Sequence, residues 1–106
     1  MSTYKVVFSD IDGTLLTSEH IVSTATIEAI ASLQDKNIPF VIISSRSASC
    51  IYPILEKHHF QCPIVACGGA WIEDMNGRIL SNEGMSKQTA ATVIEFMTEK
   101  KFDLAW

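Results

Sequence analysis

Residues 4–16 read YKVVFSDIDGTLL, an apolar run that passes directly into a loop with two carboxylates. The consecutive apolar residues Val6-Val7-Phe8 are typical of a strand covered on both faces, as in a parallel sheet. Asp10 and Asp12 follow one residue apart, and Gly13 permits a turn that a Cβ would obstruct. We therefore predict a buried first strand with two acidic side chains at its carboxyl end.

Strands and helices alternate along the rest of the chain. Ile27, Ile30 and Leu33 recur at helical spacing after Ser23, a residue type that caps helices. Pro53 lies inside the second helical segment, so we expect that helix to start late or bend. The predicted order is a helix over 23–36, a strand over 40–43, a helix over about 49–58, a strand over 63–66, a hairpin over 70–81 that turns at 76–77, a helix over 86–101 and the start of a strand over 102–106.

This alternation indicates an α/β fold with a partial doubly wound, Rossmann-like parallel sheet and a β-hairpin. Strand–helix–strand crossovers are right-handed and join parallel strands of one sheet. Ligands bind beyond the carboxyl ends of such strands. Three polar loops from distant parts of the sequence fall at those ends: 10–14, 44–46 and 67–69. We therefore predict that the three loops converge on one crevice.

The acidic loop carries the chemistry that we predict for this crevice. Two carboxylates at a strand end are costly to desolvate, and Mg²⁺ would offset that cost, so Asp10 and Asp12 are the predicted metal ligands. Asp10 would attack phosphorus as the nucleophile, and Asp12 would protonate the leaving oxygen and then activate water. The Ser44 hydroxyl, with neighbouring backbone N–H groups, would hold phosphate oxygens.

Each of these assignments has a simpler alternative. Asp10 and Asp12 would also suit a turn that they merely cap, since Asp is common in turns. The Ser44 hydroxyl would then bond only to nearby backbone, and Arg46 would be an exposed, solvated charge. The alternatives differ in whether these side chains share one crevice.

Composition limits the class of protein. The chain has 106 residues, a formal net charge of −4 and 47% hydrophobic residues, which suits a single domain with a modest core. The negative charge gives no reason to expect nucleic acid or a membrane surface as partner, and the longest apolar stretch, 38–43, cannot span a bilayer. Three cysteines without paired spacing indicate reduced thiols, and the N-terminus does not resemble a secretory signal, so we expect a cytoplasmic protein.

Two segments resemble motifs of the haloacid dehalogenase (HAD) superfamily. DIDGTLL at 10–16 is similar to its first motif, and FVIISSR at 40–46 is similar to its second, in which Ser or Thr at the strand end binds phosphate. The hairpin at Asn76-Gly77 resembles the Cof-type branch, whose members carry a large α/β cap. The resemblance implies a Mg²⁺-dependent phosphatase of small phosphorylated metabolites that forms an aspartyl phosphate on Asp10. It also implies that the loops bind phosphate and substrate through Ile11, Gly13, Ser44, Ser45 and Arg46.

The chain departs from the family pattern in its loops and in its length. Ser45 stands where the second motif usually has Gly, and Gly68 stands where the branch often has Asn. Family members are considerably longer, with a later Lys and a later acidic motif that have no counterpart here. We therefore expect a truncated member, with residues 1–82 as the N-terminal part of the core domain and residues 83–106 as the beginning of the cap.

The sequence also supports a second function, that of a catalytically dead fragment. Losing half of a sheet leaves unpaired strand edges and an uncovered apolar face, which favour a homodimer with another copy. Two other classes are excluded. A phospho-accepting receiver needs its Asp after the third strand, where this chain has Cys67-Gly68-Gly69, and the sequence contains no P-loop motif for nucleotides.

Overall fold

The computed structural model describes residues 4–101, which form five strands, three α-helices and two short helical turns at Ile11–Leu15 and Cys67–Gly69. The strands are β1 (Val7–Ser9), β2 (Phe40–Ile43), β3 (Ile64–Ala66), β4 (Trp71–Glu73) and β5 (Ile79–Asn82). The helices are α1 (Thr24–Asp35), α2 (Ala48–His58) and α3 (Lys87–Glu99). The predicted strand over 102–106 lies outside the described residues. Every other predicted element is present, which confirms the α/β fold class.

The strands form one sheet in the order β1-β2-β3-β4-β5. β1, β2 and β3 are parallel, with Val7 opposite Phe40 and Ile42 opposite Ile64. β4 runs antiparallel to β3, and β5 runs antiparallel to β4, so this half of the sheet is the predicted hairpin. The parallel half brings three carboxyl strand ends to one edge, and the loops after β1, β2 and β3 meet there.

One face of the sheet is covered by α1 and α2. Both crossovers advance in the same direction across the sheet, and right-handed connections then place both helices on the same side. The predicted cap of α1 is present, because Ser23 Oγ accepts the Thr26 N–H at 3.2 Å. The largest fully buried side chains of the apolar core are Ile11, Ile42, Ile51 and Ile64.

The opposite face of the sheet is only partly covered within residues 4–101, where Val41, opposite Phe8 in the register, is buried but its neighbours are exposed. Phe8 is 57% exposed and Ile43 is 38% exposed, and Val65 lies beside Ile43 in the register. We call the surface formed by Phe8, Ile43 and Val65 the open face. The expectation that the first strand is covered on both faces was therefore wrong for the described chain. An apolar run indicates that a strand is buried, but it does not indicate which part of a protein covers it.

α2 begins earlier than its proline suggested. The helix starts at Ala48, within one residue of the predicted start, and keeps Pro53 in its interior. The late start, which we expected as the alternative to a bend, does not occur. A proline inside a helix costs about 3 kcal/mol through its missing donor and its clash with the preceding turn. Ile51, in the first turn, is fully buried and fixes the start of the helix in the core. The connection from β2 to α2 is short as a result, which holds the second predicted loop close to the strand end.

The β4–β5 hairpin turns at Asn76-Gly77, as predicted. Gly77 has a φ of +81°, a conformation that side chains with a Cβ rarely adopt. The Asp74 carboxylate accepts two backbone N–H groups of the turn, both at 2.9 Å. At the base of the hairpin, the buried carboxylate of Glu73 accepts hydrogen bonds from the Tyr52 hydroxyl and from Trp71 Nε1. These bonds tie the hairpin to α2.

α3 follows the hairpin and has no fully buried side chain. Ser86 caps it, with its Oγ accepting the Thr89 N–H at 3.1 Å. Val93 and Phe96 are 42% and 55% exposed on its surface. Neither α3 nor any other helix in the described part of the chain has the length and hydropathy needed to cross a membrane.

Candidate active site

An open crevice of about 470 Å³ lies at the carboxyl ends of β1, β2 and β3. This volume falls within the range of small-molecule sites, roughly 300–1,000 Å³. Each of the three predicted loops contributes to it, and the open face forms its apolar wall. The lining residues are Phe8, Ser9, Asp10, Ile43, Ser44, Ser45, Val65 and Gly68.

Asp10 is held at the tip of β1 by the turn that follows it. The Leu15 N–H donates to the Asp10 carbonyl at 3.2 Å, and the Leu16 N–H donates to the Ile11 carbonyl at 3.0 Å. Gly13, at a φ of +77°, allows the chain to turn within these bonds. The Ile11 side chain is fully buried, so it anchors the turn in the core.

One oxygen of the Asp10 carboxylate accepts a hydrogen bond within the turn, and the other oxygen is free. Oδ1 accepts the Ile11 N–H at 2.8 Å, which is the turn-capping role of the simpler alternative. Oδ2 has no hydrogen-bond partner within residues 4–101, and the residue lines the crevice. The Ile11 N–H, which we predicted to bind phosphate, donates to Asp10 in this arrangement. The carboxylate is therefore fixed in orientation while one oxygen remains available to a ligand.

The second loop is joined to β3 and the third loop by backbone hydrogen bonds. The Ser44 N–H donates to the Val65 carbonyl at 2.8 Å, and its carbonyl accepts the Gly68 N–H at 3.0 Å. The Cys67 N–H donates to the Arg46 carbonyl at 2.8 Å. Ser44 is buried, and its Oγ accepts the Arg46 N–H at 3.0 Å. The hydroxyl proton of Ser44 therefore remains available for a phosphate oxygen.

Asp12 and Arg46 form a two-point ion pair beside the crevice. Arg46 Nε donates to Asp12 Oδ2 at 2.9 Å, and Arg46 Nη2 donates to Asp12 Oδ1 at 2.5 Å. The hydrogen bonding from Arg46 lowers the pKa of the Asp12 carboxyl from its ordinary value. The same contact raises the pKa of Arg46. Arg46 is therefore not the isolated, solvated charge of the simpler alternative.

His20, which the sequence patterns did not single out, also acts on Asp12. Its charge helps to lower the pKa of the Asp12 carboxyl, after the larger effect of Arg46. Its loop is fixed by Thr17, whose N–H donates to the Ile21 carbonyl at 2.7 Å and whose Oγ1 accepts the Ile21 N–H at 3.4 Å. Threonine hydroxyls commonly form hydrogen bonds within such turns. Thr17 was therefore the feature of the sequence that could have indicated an ordered turn around His20. His20 thus adds to the effect of Arg46 on the Asp12 carboxyl.

The donor set fits Mg²⁺ at Asp10 more readily than at Asp12. Mg²⁺ takes one or two carboxylates and completes its shell with water and substrate phosphate. Asp10 has a free oxygen, whereas both oxygens of Asp12 are held by Arg46. Asp12 would have to leave this pair before its side chain bound a cation. Across residues 4–101, no group of three or more His, Cys, Asp or Glu side chains is placed to hold a metal ion.

The predicted site residues divide into three groups in the structure. One group lines the crevice, the second forms the ion pair beside it, and the third shapes the turn after β1. These groups are Asp10, Ser44 and Ser45 in the crevice, Asp12 and Arg46 in the pair, and Ile11 and Gly13 in the turn.

Comparison with known proteins identifies relatives along nearly the whole chain. The sequence profile of the haloacid dehalogenase-like hydrolases matches residues 7–106. A putative phosphatase from Haemophilus influenzae is 45% identical over 73 residues, which are 69% of this chain and 28% of that protein. Pyridoxal phosphate phosphatase YbhA from Escherichia coli is 28% identical over 98 residues, which are 92% of this chain and 36% of that protein.

Solved structures agree with the sequence comparison. A haloacid dehalogenase-like hydrolase from B. subtilis superposes with a TM-score of 0.86 at 28% identity, over 91% of this chain and 34% of that one. The chain therefore spans about a third of the length of the relatives that it matches. The resemblance of the two motifs to the HAD superfamily is confirmed, and the chain belongs to the haloacid dehalogenase-like hydrolase family.

Proposed function

We propose that this chain supplies the catalytic carboxylates of a Mg²⁺-dependent phosphatase of small phosphorylated metabolites. The observation that carries the proposal is Asp10, whose oriented carboxylate lines a crevice shared with Ser44 at the ends of parallel strands. Family membership supports it, and so do the relatives from H. influenzae and E. coli, which are named as phosphatases. The proposed reaction is the hydrolysis of a phosphoric monoester.

Two carboxylates divide the chemistry between them. Asp10 Oδ2 attacks phosphorus and forms an aspartyl phosphate while the bond from phosphorus to the leaving oxygen breaks. To act as the acid, Asp12 must first take up a proton, which the contact with Arg46 disfavours because it lowers the pKa of the Asp12 carboxyl. Asp12 then gives this proton to the leaving oxygen and later takes a proton from the water that releases inorganic phosphate and regenerates Asp10. The Ser44 hydroxyl donates to a phosphoryl oxygen in both steps. Mg²⁺, when bound at Asp10, would neutralise negative charge on the phosphoryl oxygens.

The proposal includes a domain division and a location. Residues 1–82 would belong to the core domain, and residues 83–106 would begin a cap. The lack of any fully buried side chain on α3 supports a boundary after β5. A cytoplasmic location is supported by the cysteines Cys50, Cys62 and Cys67, all of which are free thiols.

Phosphate release from p-nitrophenyl phosphate, with and without Mg²⁺, tests the proposal. Both the 106-residue chain and a chimera in which it replaces the matching third of YbhA would be assayed. We expect Mg²⁺-dependent release by the chimera and a loss of roughly a thousandfold or more in Asp10→Asn. Asp74→Asn, a change in the hairpin turn, should keep the activity. Unchanged release by Asp10→Asn would contradict the proposal, and a phosphorylated Asp10 found by mass spectrometry would identify the nucleophile.

A second candidate is an inactive chain that associates with its own copies. The open face favours it, because Phe8 is 57% exposed and β1 ends the sheet with an edge that is unpaired in residues 4–101. Apolar faces beside free strand edges favour pairing with another chain. Light scattering after size exclusion, over a range of concentrations, tests this candidate. A mass that stays at the monomer value of 11.7 kDa throughout would rule it out.

A further inference from the structure

Arg46 has hydrogen-bond donors that its pairing with Asp12 leaves unused. A guanidinium group carries five N–H donors in one plane. The ion pair occupies the Nε–H and one N–H of Nη2. The second N–H of Nη2 and both N–H groups of Nη1 have no partner anywhere in the described chain. The Arg46 side chain is 32% exposed, so a cationic edge with the geometry of a fork faces solvent.

The backbone of Arg46 fixes where this edge lies. Its N–H donates to Ser44 Oγ at 3.0 Å, and its carbonyl accepts the Cys67 N–H at 2.8 Å. Both bonds hold the residue against the crevice, so the position of the guanidinium is set by the side chain and by its contact with Asp12. The guanidinium therefore lies beside Asp12, and its backbone adjoins the crevice residues Ser44 and Ser45.

The leaving group would also lie beside Asp12. This step rests on the proposed function, in which Asp12 protonates the leaving oxygen and so must come within hydrogen-bond distance of it. Arg46 contacts both oxygens of Asp12. Two hydrogen bonds in series place the guanidinium roughly 6 Å from the leaving oxygen. A carboxylate on the carbon next to that oxygen has its own oxygens about 3 Å away, and one hydrogen bond of about 3 Å then reaches Arg46.

We propose that Arg46 determines substrate specificity by binding a carboxylate of the leaving group with its free edge while its other edge positions Asp12. The substrate class is that of phosphomonoesters whose alcohol carries a carboxylate on the adjacent carbon. A planar guanidinium fork matches a carboxylate in two-point geometry, which a lysine ammonium does not. Among residues 4–101, Asp10 is the only charged residue that lines the crevice, so no cation there competes with Arg46 for the carboxylate.

Two stable phosphonates separate this proposal from general phosphate binding. 3-Phosphonopropionate has the phosphorus and carboxylate of the proposed substrate class with a methylene in place of the ester oxygen, and propylphosphonate lacks the carboxylate. Isothermal titration calorimetry of the 106-residue chain with Mg²⁺ present would measure both affinities. We expect 3-phosphonopropionate to bind roughly tenfold more tightly.

Variants of the two arginines of the chain assign the preference to one residue. Arg46→Gln should reduce the preference for 3-phosphonopropionate to less than about twofold, and Arg46→Lys should restore only part of it because lysine has no second edge. Arg78→Gln, in the hairpin, is the matched control and should keep the full preference. Circular dichroism would verify that each variant is folded. If Arg46→Gln does not fold, the reduced preference of Arg46→Lys provides the test.

Each outcome decides between the two proposals. Equal binding of the two phosphonates by the unmodified chain, or an unchanged preference in a folded Arg46 variant, would overturn the role of Arg46 and leave the phosphate site standing. Failure of both phosphonates and of inorganic phosphate to bind would overturn the phosphate site and the role of Arg46 together.

Discussion

Ser44 accepts a backbone N–H from Arg46 and would donate its own proton to phosphate. Ser44→Ala removes both, so we expect a loss of roughly 1–2 kcal/mol in the free energy of unfolding and about tenfold in affinity for inorganic phosphate. Ser44→Thr keeps the hydroxyl and should restore the affinity. Ser81→Ala, on β5, serves as the control. Urea unfolding and calorimetry measure the two effects, and a Ser44→Ala variant with unchanged phosphate affinity would leave the residue a structural role only.

Cys62 makes the stability of the fold sensitive to alkaline pH. Burial raises the pKa of its thiol to about 11 from 9.0, so between these values the folded chain binds more protons than the unfolded chain. The stabilisation is complete below about pH 9 and is lost as pH rises towards 11, with a difference of roughly 2–3 kcal/mol. Urea unfolding from pH 9 to 11 should therefore show a steeper loss for the unmodified chain than for Cys62→Ala. Equal slopes would contradict this assignment.

At the residue scale, the sequence predicted the acidic loop and the hydroxyl loop but not the contact between them. Asp10 and Ser44 follow strands, so their meeting follows from topology alone. The pairing of Asp12 with Arg46 joins residues 34 positions apart and depends on side-chain conformations. No local pattern encodes such a contact. The hydrogen bond from the Ile11 N–H to Asp10 could not be predicted, because it also depends on a side-chain conformation.

The hairpin and α2 are coupled by the buried carboxylate of Glu73. Glu73→Ala would leave the Tyr52 hydroxyl and the Trp71 N–H without their acceptor, and we expect a loss of roughly 2–4 kcal/mol in the free energy of unfolding. Tyr52→Phe should cost less, about 1–2 kcal/mol. A double-mutant cycle in urea would report the coupling, with the exposed Glu83→Ala as control. Strict additivity of the two changes would show that the contact contributes nothing.

At the element scale, periodicity predicted α1 to within one residue at each end, because Ser23 caps it and its apolar spacing is regular. The bounds of α2, predicted as about 49–58 and observed as Ala48–His58, were predicted equally closely, but the effect expected from its proline was not. Pro53 suggested a late start, but burial of Ile51 outweighs the local cost of the proline. Local preference therefore failed where tertiary packing opposed it. The hairpin was predictable because Asn76-Gly77 has few alternatives to a tight turn.

The open face should control any self-association of the whole molecule. Phe8→Asp places a charge on it, and we expect the dissociation constant of a homodimer, if one forms, to rise roughly tenfold or more. Phe96→Asp is the matched control, because Phe96 is 55% exposed on α3 and Phe8 is 57% exposed. Sedimentation equilibrium of the two variants measures the difference. Equal weakening by both changes, or by neither, would place the contact elsewhere.

At the scale of the whole molecule, the sequence predicted the fold class but not which faces of the sheet are buried. The alternation of strands and helices led to the correct fold class, because crossovers of one hand leave few arrangements. The same apolar residues that predicted a strand covered on both faces lie partly in solvent in residues 4–101. The apolar side chains of Phe8 and Ile43 predict that this face of the sheet is buried. A sequence pattern does not indicate which part of a protein buries it.

The open face also forms one wall of the crevice, and this sharing has a thermodynamic consequence. Phe8, Ile43 and Val65 belong to both surfaces, so any body that packs on this side of the sheet also reshapes the ligand's surroundings. Occupancy of the crevice and assembly on the sheet are then linked equilibria. Each must alter the affinity of the other by the same factor, whatever the identity of the covering partner.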